Sequence, residues 1–215
     1  MDKIPKANLD KLFWLSLTDP TSAENSGVDL DLDTKTKLIT AELKKIRKHF
    51  RISSHNIPQF IKTQFYGGML TNLILAYFLN KNSITADPEA KVGELSPIDV
   101  YLKSHKIAIE VKRIYSSGEI YNYIENTIEK YNNHKSQHIN KILVLFIHPL
   151  EYKRNYFEWA TDGYKGLFQA LKDEKMIPQN FEFLIISCPD EQNCLDNFIK
   201  NTCDRISEIG GRDDV

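Results

Sequence analysis

Two runs in which apolar and polar residues alternate, Ile98 to Lys103 and Lys106 to Lys112, form the clearest local pattern in the chain. Alternation with a period of two predicts β-strands. Because only Ser104-His105 separates the runs, we expect a β-hairpin closed by a two-residue loop. The other predicted elements are arranged around this hairpin.

The loop length fixes which residues of the hairpin face each other. One face of the ribbon is apolar and pairs Leu102 with Ile107, Val100 with Ile109 and Ile98 with Val111. On the other face Asp99 stands opposite Glu110. Lys112 follows Glu110 by two residues and therefore lies on the same face of that strand. A slip of one residue would mix apolar and charged side chains, so the pattern itself favours this register.

Helical spacing of apolar residues marks the segments on either side of the hairpin. It predicts helices over residues 7–17, 34–50, 57–80, 119–133, 163–174 and 190–209. Continuous apolar runs over 141–148 and 181–187 predict two strands buried on both faces, which are usually parallel to a neighbour and follow a helical crossover. This order predicts an α/β fold with a mixed β-sheet core flanked by helices on both faces.

Composition limits the number of domains and the compartment. With 215 residues, 41% of them hydrophobic, the chain can build one full core, so we expect an N-terminal helical extension over 1–52, a core over 53–209 and a loose tail over 210–215. The sequence has no membrane-length apolar run and no signal-peptide core, and its three cysteines are odd in number. These features predict a cytoplasmic protein with reduced thiols, not bound to a membrane.

The opposed carboxylates carry the candidate chemistry. Asp99 and Glu110 cannot both ionise cheaply without a cation between them. Lys112 can supply part of that charge, but a hard divalent cation held by carboxylate oxygens and a backbone carbonyl supplies more and suits Mg²⁺ or Mn²⁺. Such an ion polarises a phosphodiester and acidifies a water. The alternative is a solvent-facing ribbon with an incidental ion pair.

The spacing of these residues resembles a known motif. Pro97-Ile98-Asp99, ten intervening residues and Glu110-Val111-Lys112 are similar to the motif of the PD-(D/E)XK nuclease superfamily, which includes type II restriction endonucleases and archaeal Holliday-junction resolvases. The resemblance implies a restriction-endonuclease-like core, with Asp99 and Glu110 as metal ligands, Val111 lending its carbonyl and Lys112 as the catalytic lysine. One departure is Ile98, which separates the proline from the aspartate.

The resemblance also implies a possible further acid. In that superfamily the helix ahead of the hairpin often supplies another carboxylate, but the predicted helix over 57–80 contains no acidic residue. Glu94, just before the first hairpin strand, is the preferred accessory candidate. Gln64 could instead direct a carbonyl oxygen toward the metal, although packing is the alternative role for this residue.

Cationic residues are candidate contacts for a nucleic-acid backbone. The net charge of −1 is close to zero and does not exclude a basic cleft. The candidates are Lys44, Lys45, Arg47, Lys48 and Arg51 near one helix end, Arg113 after the motif, and Lys153 and Arg154 in an aromatic-rich loop. Favourable interaction with the helix dipole is the alternative for the first group, and core packing of the aromatic residues is the alternative for the loop.

These features together predict a Mg²⁺-dependent endonuclease that hydrolyses DNA and also accepts Mn²⁺. Cutting both strands of a duplex requires two active sites, so we expect a homodimer for that substrate. The alternatives are a junction-resolving or RNA-directed nuclease of the same fold, and a non-catalytic module that binds nucleic acid or protein.

Overall fold

The alternating and continuous apolar runs become neighbouring strands of one sheet in the computed structural model. The structure describes residues 10, 13, 65–90, 92, 97–114, 119–132, 139–147, 165–166, 168–177, 180–187 and 193–210. The elements in chain order are α1 (Phe65–Lys81), β1 (Asp87–Ala90), β2 (Ile98–Leu102), β3 (Ile107–Ile114), α2 (Glu119–Asn132), β4 (Asn140–Ile147), α3 (helical residues 165–166 and 168–173), β5 (Phe181–Ser187) and α4 (Cys194–Gly210).

The five strands are ordered β1-β2-β3-β4-β5 across the sheet. Strand β2 is antiparallel to both β1 and β3, whereas β4 is parallel to both β3 and β5. The α/β fold and the mixed sheet are therefore confirmed. Helix α2 makes the crossover from β3 to β4, as the continuous apolar run of β4 predicted.

Pairing within the hairpin follows the predicted register. Val100 pairs with Ile109, Tyr101 with Ala108 and Leu102 with Ile107. The Lys106 N–H donates to the Lys103 carbonyl at 3.4 Å and closes the loop.

Four residues, Lys103 to Lys106, separate the ends of β2 and β3. The left-handed φ of 50° is at Lys106 and not at Ser104 or His105, where a two-residue type I′ or II′ loop needs one. The expected two-residue loop is therefore replaced by a four-residue turn, although the register of the strands is as predicted.

Strand β1 was not predicted from the sequence. Its four residues, D-P-E-A, lack β-branched and aromatic side chains and include a proline, so they carry no strand signal. The proline is tolerated because β1 lies at the edge of the sheet, where a missing N–H leaves no ladder bond unmade. The strand forms because β2 offers a free edge for pairing.

Two hydrophobic clusters cover the two faces of the sheet. Helices α1 and α4 pack against one face, where Val100, Ile109 and Val144 are buried. Helices α2 and α3 pack against the other face, over Ala108 and Leu143. Adjacent residues of β4 are thus buried on opposite faces, which confirms that this strand is covered on both sides.

Part of the predicted N-terminal helix belongs to the first of these clusters. Asp10 and Phe13 are helical, and the fully buried Phe13 ring lies 4.9 Å from the ring of Phe198 on α4. The predicted helix over 34–50 and the boundary at 52 lie outside the described residues. Among the helices that the structure describes, none is long and apolar enough to cross a membrane.

Replacing Phe13 with alanine should lower the free energy of unfolding by about 3 kcal/mol or more, because it empties a fully buried site beside Phe198. Urea denaturation measures this change. Tyr121→Ala is the matched control, since Tyr121 is 56% exposed and its loss should change stability by about 0.5 kcal/mol or less. A loss at Phe13 as small as that at Tyr121 would contradict this docking.

Candidate active site

The predicted carboxylates lie where the hairpin opens. The paired positions of β2 and β3 end at Val100 and Ile109, one step before Asp99 and Glu110. Directly opposed like charges weaken strand pairing, which explains why the ladder stops there. The Val111 N–H donates instead to the Asp99 carboxylate, from N to Oδ2 at 2.8 Å.

This opening corrects one detail of the predicted register. Ile98 was expected to face Val111 on the apolar face that Val100 and Leu102 share. Ile98 instead packs in the cluster under α2 and α3, whereas Val111 packs in the cluster under α1 and α4. The strands have parted at Asp99, so the alternation of faces does not continue beyond it.

Lys112 brings the predicted catalytic residues together. Its Nζ lies 3.5 Å from Asp99 Oδ2 and 3.3 Å from Glu110 Oε2. Asp99, Glu110 and Lys112 therefore form one cluster, as the motif predicted. The side chains of Asp99 and Glu110 are only 17% and 2% exposed, so the alternative of a solvent-facing ribbon does not hold.

Two further residues hold Glu110 from the opposite side. Lys130 Nζ lies 2.6 Å from Glu110 Oε1, and the Tyr131 hydroxyl donates to the same oxygen at 2.7 Å. Lys130 also donates to the Pro97 carbonyl at 3.0 Å. The last turn of α2 is thereby tied both to β3 and to the residue that precedes β2.

The sequence did not reveal that Lys130 and Tyr131 face the site. Both residues lie at the C-terminal end of the helix that apolar spacing predicted over residues 119–133. Helical periodicity places a residue on a face, but it cannot say which polar group lies opposite that face in the fold.

A second pair lies on the α1 side of the site. The Asn72 Nδ2 of α1 donates to Glu89 Oε1 of β1 at 2.9 Å. In the β1–β2 register, Pro88 pairs with Val100 and Ala90 with Ile98, so Glu89 stands opposite Asp99. No signal for this residue exists in the sequence because β1 itself has no strand pattern.

Burial sets the charge state of Asp99. Desolvation, with a smaller contribution from the Glu110 carboxylate, raises the pKa of Asp99 from 3.8 to about 6. Lys112 and the Val111 N–H oppose this rise, and the Glu89 carboxylate adds to it. Asp99 thus exchanges its proton close to neutral pH.

The pKa values of Lys112 and Tyr131 are also raised, and this favours the protonated form of each. Burial by itself works to lower the pKa of Lys112, but the Asp99 and Glu110 carboxylates outweigh it, so the pKa of Lys112 is raised. Burial and then the Glu110 charge raise the pKa of Tyr131 far above its usual range. Lys112 therefore stays charged and Tyr131 stays a hydrogen-bond donor at neutral pH.

Several predicted residues lie outside the part of the chain that the structure describes. These are the accessory candidates Glu94 and Gln64 and the cationic candidates Lys44, Lys45, Arg47, Lys48, Arg51, Lys153 and Arg154. Arg113 is described, on β3 directly after Lys112, and is half-buried. Its contact with nucleic acid remains a prediction.

The oxygen atoms of Asp99, Glu110 and the Val111 backbone are of the kind that bind a hard divalent cation. Within the described ranges, no three His, Cys, Asp or Glu side chains form a group that could hold a metal ion. The carboxylates occur instead as the pair Asp99 and Glu110, beside the backbone of Val111. Among the described residues, Lys112 alone donates to Glu110 Oε2, at 3.3 Å, and none donates to Asp99 Oδ1. These oxygens keep lone pairs for a cation such as Mg²⁺ or Mn²⁺.

Comparison with protein-family models, with curated proteins and with solved structures finds no match to this chain. The function must therefore be argued from the site itself.

Replacing Asp99 with asparagine should stabilise the protein at pH 7. An acid whose pKa is higher in the folded state binds its proton more tightly there, so wild-type stability falls as the pH rises from 3.8 to about 6. Asparagine cannot ionise and avoids this loss, which we expect to be about 3 kcal/mol. Thermal unfolding between pH 3.5 and 8 measures the difference, which should vanish at low pH. The exposed Asp204→Asn is the control, and a variant less stable than wild type at pH 7 would contradict the expectation.

Replacing Lys130 with methionine should destabilise the protein by about 3 kcal/mol, because it leaves the buried Glu110 carboxylate without its closest cation. Lys130→Arg keeps the charge and should lose less. Urea denaturation compares both with Lys200→Met on the exposed side of α4. Equal stability of Lys130→Met and Lys200→Met would show that Lys130 does not hold Glu110.

Proposed function

We propose that this protein is a metal-dependent endonuclease that hydrolyses DNA phosphodiester bonds and has a restriction-endonuclease-like core. One observation carries the proposal: the Lys112 amino group lies between the Asp99 and Glu110 carboxylates, in a largely buried position where the hairpin opens. A purely structural ion pair needs one acid and one base. Two acids that face each other lower stability unless cations lie beside them, and a bound metal ion would add to the charge that the lysines supply.

The order of elements supports the same proposal. The resembled nuclease core requires a particular order of elements in a mixed sheet: a helix, a hairpin, a second helix and then parallel strands. The described elements of this chain follow that order. Asp99 lies on β2, and Glu110 and Lys112 lie on β3, so the motif falls on two adjacent strands.

Asp99, Glu110 and the Val111 carbonyl would hold the cation. When bound there, Mg²⁺ or Mn²⁺ would polarise the scissile phosphate and lower the pKa of the attacking water. The carboxylate of Asp99 must be deprotonated to serve as a ligand, so its pKa of about 6 predicts weaker binding in acid.

The residues of the chain itself have separate roles in this proposal. Because its pKa is raised, Lys112 remains an ammonium group, which suits hydrogen bonding to the water and stabilisation of charge on the phosphate better than proton abstraction. Lys130 and Tyr131 occupy Glu110 Oε1, and Lys112 lies at Oε2. Lys130 and Tyr131 act as positioning residues, since they fix the orientation of the Glu110 carboxylate that would bind the metal.

The substrate contacts extend this proposal beyond the described site. The cationic segment from Lys44 to Arg51, together with Lys153 and Arg154, would contact the phosphate backbone. For duplex DNA a homodimer would supply the second active site. A four-way junction or RNA would change the surface that binds substrate but not the residues of the cluster.

A non-catalytic binding module is the second candidate, and one observation favours it. Lys112 and Lys130 already neutralise Glu110, so the cluster could be held together without any metal. A module of this kind would bind nucleic acid or protein, and added cation would not change its stability.

The proposed nuclease should cut DNA in Mg²⁺ or Mn²⁺ and lose this activity in EDTA. Glu110→Gln and Lys112→Met should each lower the rate by at least about 100-fold. The first removes a carboxylate that would hold the cation, and the second removes the ammonium group that would stabilise charge on the phosphate. Glutamine keeps an acceptor for Lys130 and Tyr131 and therefore disturbs the fold less than alanine would. Plasmid, linear duplex, four-way junction, single strand and RNA are compared as substrates, with Lys200→Met as the control.

Two outcomes would contradict the nuclease. One is equal cleavage by wild type and both variants. The other is absence of cleavage for every substrate together with no change in melting temperature on addition of Mn²⁺, which would favour the binding module. A melting temperature raised by Mn²⁺ without cleavage would direct the search to other substrates.

A further inference from the structure

Glu182 lies on the outermost strand of the described sheet and is held there by cations from two helices. Strand β5 is the last strand in the order β1-β2-β3-β4-β5, so β4 is its only neighbour among the strands that the structure describes. Lys172 Nζ lies 3.0 Å from Glu182 Oε1, and Arg205 NH1 lies 4.0 Å from Glu182 Oε2. These three residues form the Glu182 ion-pair cluster.

The two cations reach Glu182 from opposite faces of the sheet. Lys172 belongs to α3, on the face that buries Phe181, and Arg205 belongs to α4, on the face that buries Ile186. Because the sheet separates these faces, one carboxylate can contact both helices only where the sheet ends. The Glu182 carboxylate therefore lies beside the backbone of β5, at the edge of this strand that does not face β4.

The rest of β5 has the features of a strand that pairs with other chains. Its sequence, F-E-F-L-I-I-S, has apolar residues on both faces and contains no proline. Phe183, Leu184 and Ile185 at its centre are only partly buried. An apolar edge strand is a template for pairing with another chain unless a charge, a bulge or a cover interrupts it. Glu182 is the only charged residue of β5, so it is the residue that can oppose such pairing.

The pattern of β5 fits a second copy of the same strand. In an antiparallel pair with a two-fold axis at Leu184, Phe183 would face the partner's Ile185, and Glu182 would face the partner's Ile186. Of these central pairs, only the one that contains Glu182 includes a charge. Pairing would bury that carboxylate against an isoleucine and displace it from its two cations, which is strongly unfavourable.

We propose that the Glu182 ion-pair cluster prevents a second copy of this chain from pairing with β5, and that removing the Glu182 charge turns β5 into a self-association surface. The carboxylate and its cations occupy the space beside the strand, and their charge opposes burial. The inference is independent of the proposed nuclease, since none of these residues belongs to the candidate active site. A homodimer that cuts duplex DNA would use a surface other than this edge.

The alternative is that the cluster only ties α3 to α4. A largely buried ion pair can hold two helices without any role in association. The two roles predict different results, because a tie is lost when either partner is removed, whereas the barrier to pairing depends on the carboxylate in β5. Lys172→Met removes one cation and keeps this carboxylate, but Glu182→Leu removes the charge itself.

Sedimentation velocity of the full chain over a range of concentrations tests the proposal. Glu182→Leu should raise the association constant at least about tenfold above that of wild type, because the paired strands then bury no charge. Lys172→Met should sediment as wild type does. Glu208→Leu is the matched control, since Glu208 is exposed on α4 beside Arg205 and the change adds the same apolar side chain outside β5.

A cross-link at Leu184 gives an independent readout of the surface. The two-fold axis sets Leu184 opposite its own copy, so Leu184→Cys should form a disulfide between chains under mild oxidation when the β5 edges pair. Cys188→Ser is added to every cross-linking variant, because Cys188 follows the strand directly. The disulfide should form when Glu182→Leu is present and not when Glu182 is retained.

Three outcomes would overturn the proposal. Glu182→Leu that sediments as wild type leaves the cluster as a tie between helices. Association without the cross-link at Leu184 places the contact on another surface, and equal association of Glu208→Leu shows a general effect of added apolar area. A thermal melt checks the fold of each variant. If Glu182→Leu unfolds, Glu182→Gln takes its place, since glutamine keeps an acceptor for Lys172, and the same outcomes then decide.

Discussion

Burial of the Glu110 carboxylate is the constraint on which the arrangement of the site depends. An ionised carboxylate that is only 2% exposed loses its hydration, a cost of several kcal/mol that hydrogen bonds and opposite charges must offset. Lys130, Tyr131 and Lys112 supply these contacts from two different elements. The position of α2 against the sheet is thus set by electrostatics as well as by apolar packing.

The sheet explains why such a charge can be buried at all. Its antiparallel half ends in the hairpin, and its parallel half is covered on both faces by helices. The site lies where β2 and β3 cease to pair. Polar groups can enter the interior at this position because the ladder, which would otherwise consume the backbone donors, has ended, and the Val111 N–H is free to bind Asp99.

Three features that reduce stability occur together around this opening. Asp99 has a raised pKa, Glu89 has a left-handed backbone, and Asn72 has an unsatisfied buried oxygen. A domain selected only for stability would replace these groups with apolar residues of similar size. Their occurrence at one place is typical of a functional site, where residues that lower stability are retained for binding or catalysis.

The sequence by itself determined the two strands of the hairpin, their register from Val100 and Ile109 to the turn, the parallel strands β4 and β5 and the described helices α1 to α4. It could do so because period-two and period-3.6 patterns are local properties of the chain. It also identified the cluster of Asp99, Glu110 and Lys112, since the register of one hairpin suffices to bring them together. Only the tertiary structure decided that Lys130 and Tyr131 hold Glu110, that Glu89 stands opposite Asp99, and that Ile98 leaves the apolar face. These contacts join residues 10 to 21 positions apart or depend on an edge strand without a sequence pattern, and packing between elements, not local preference, selects them.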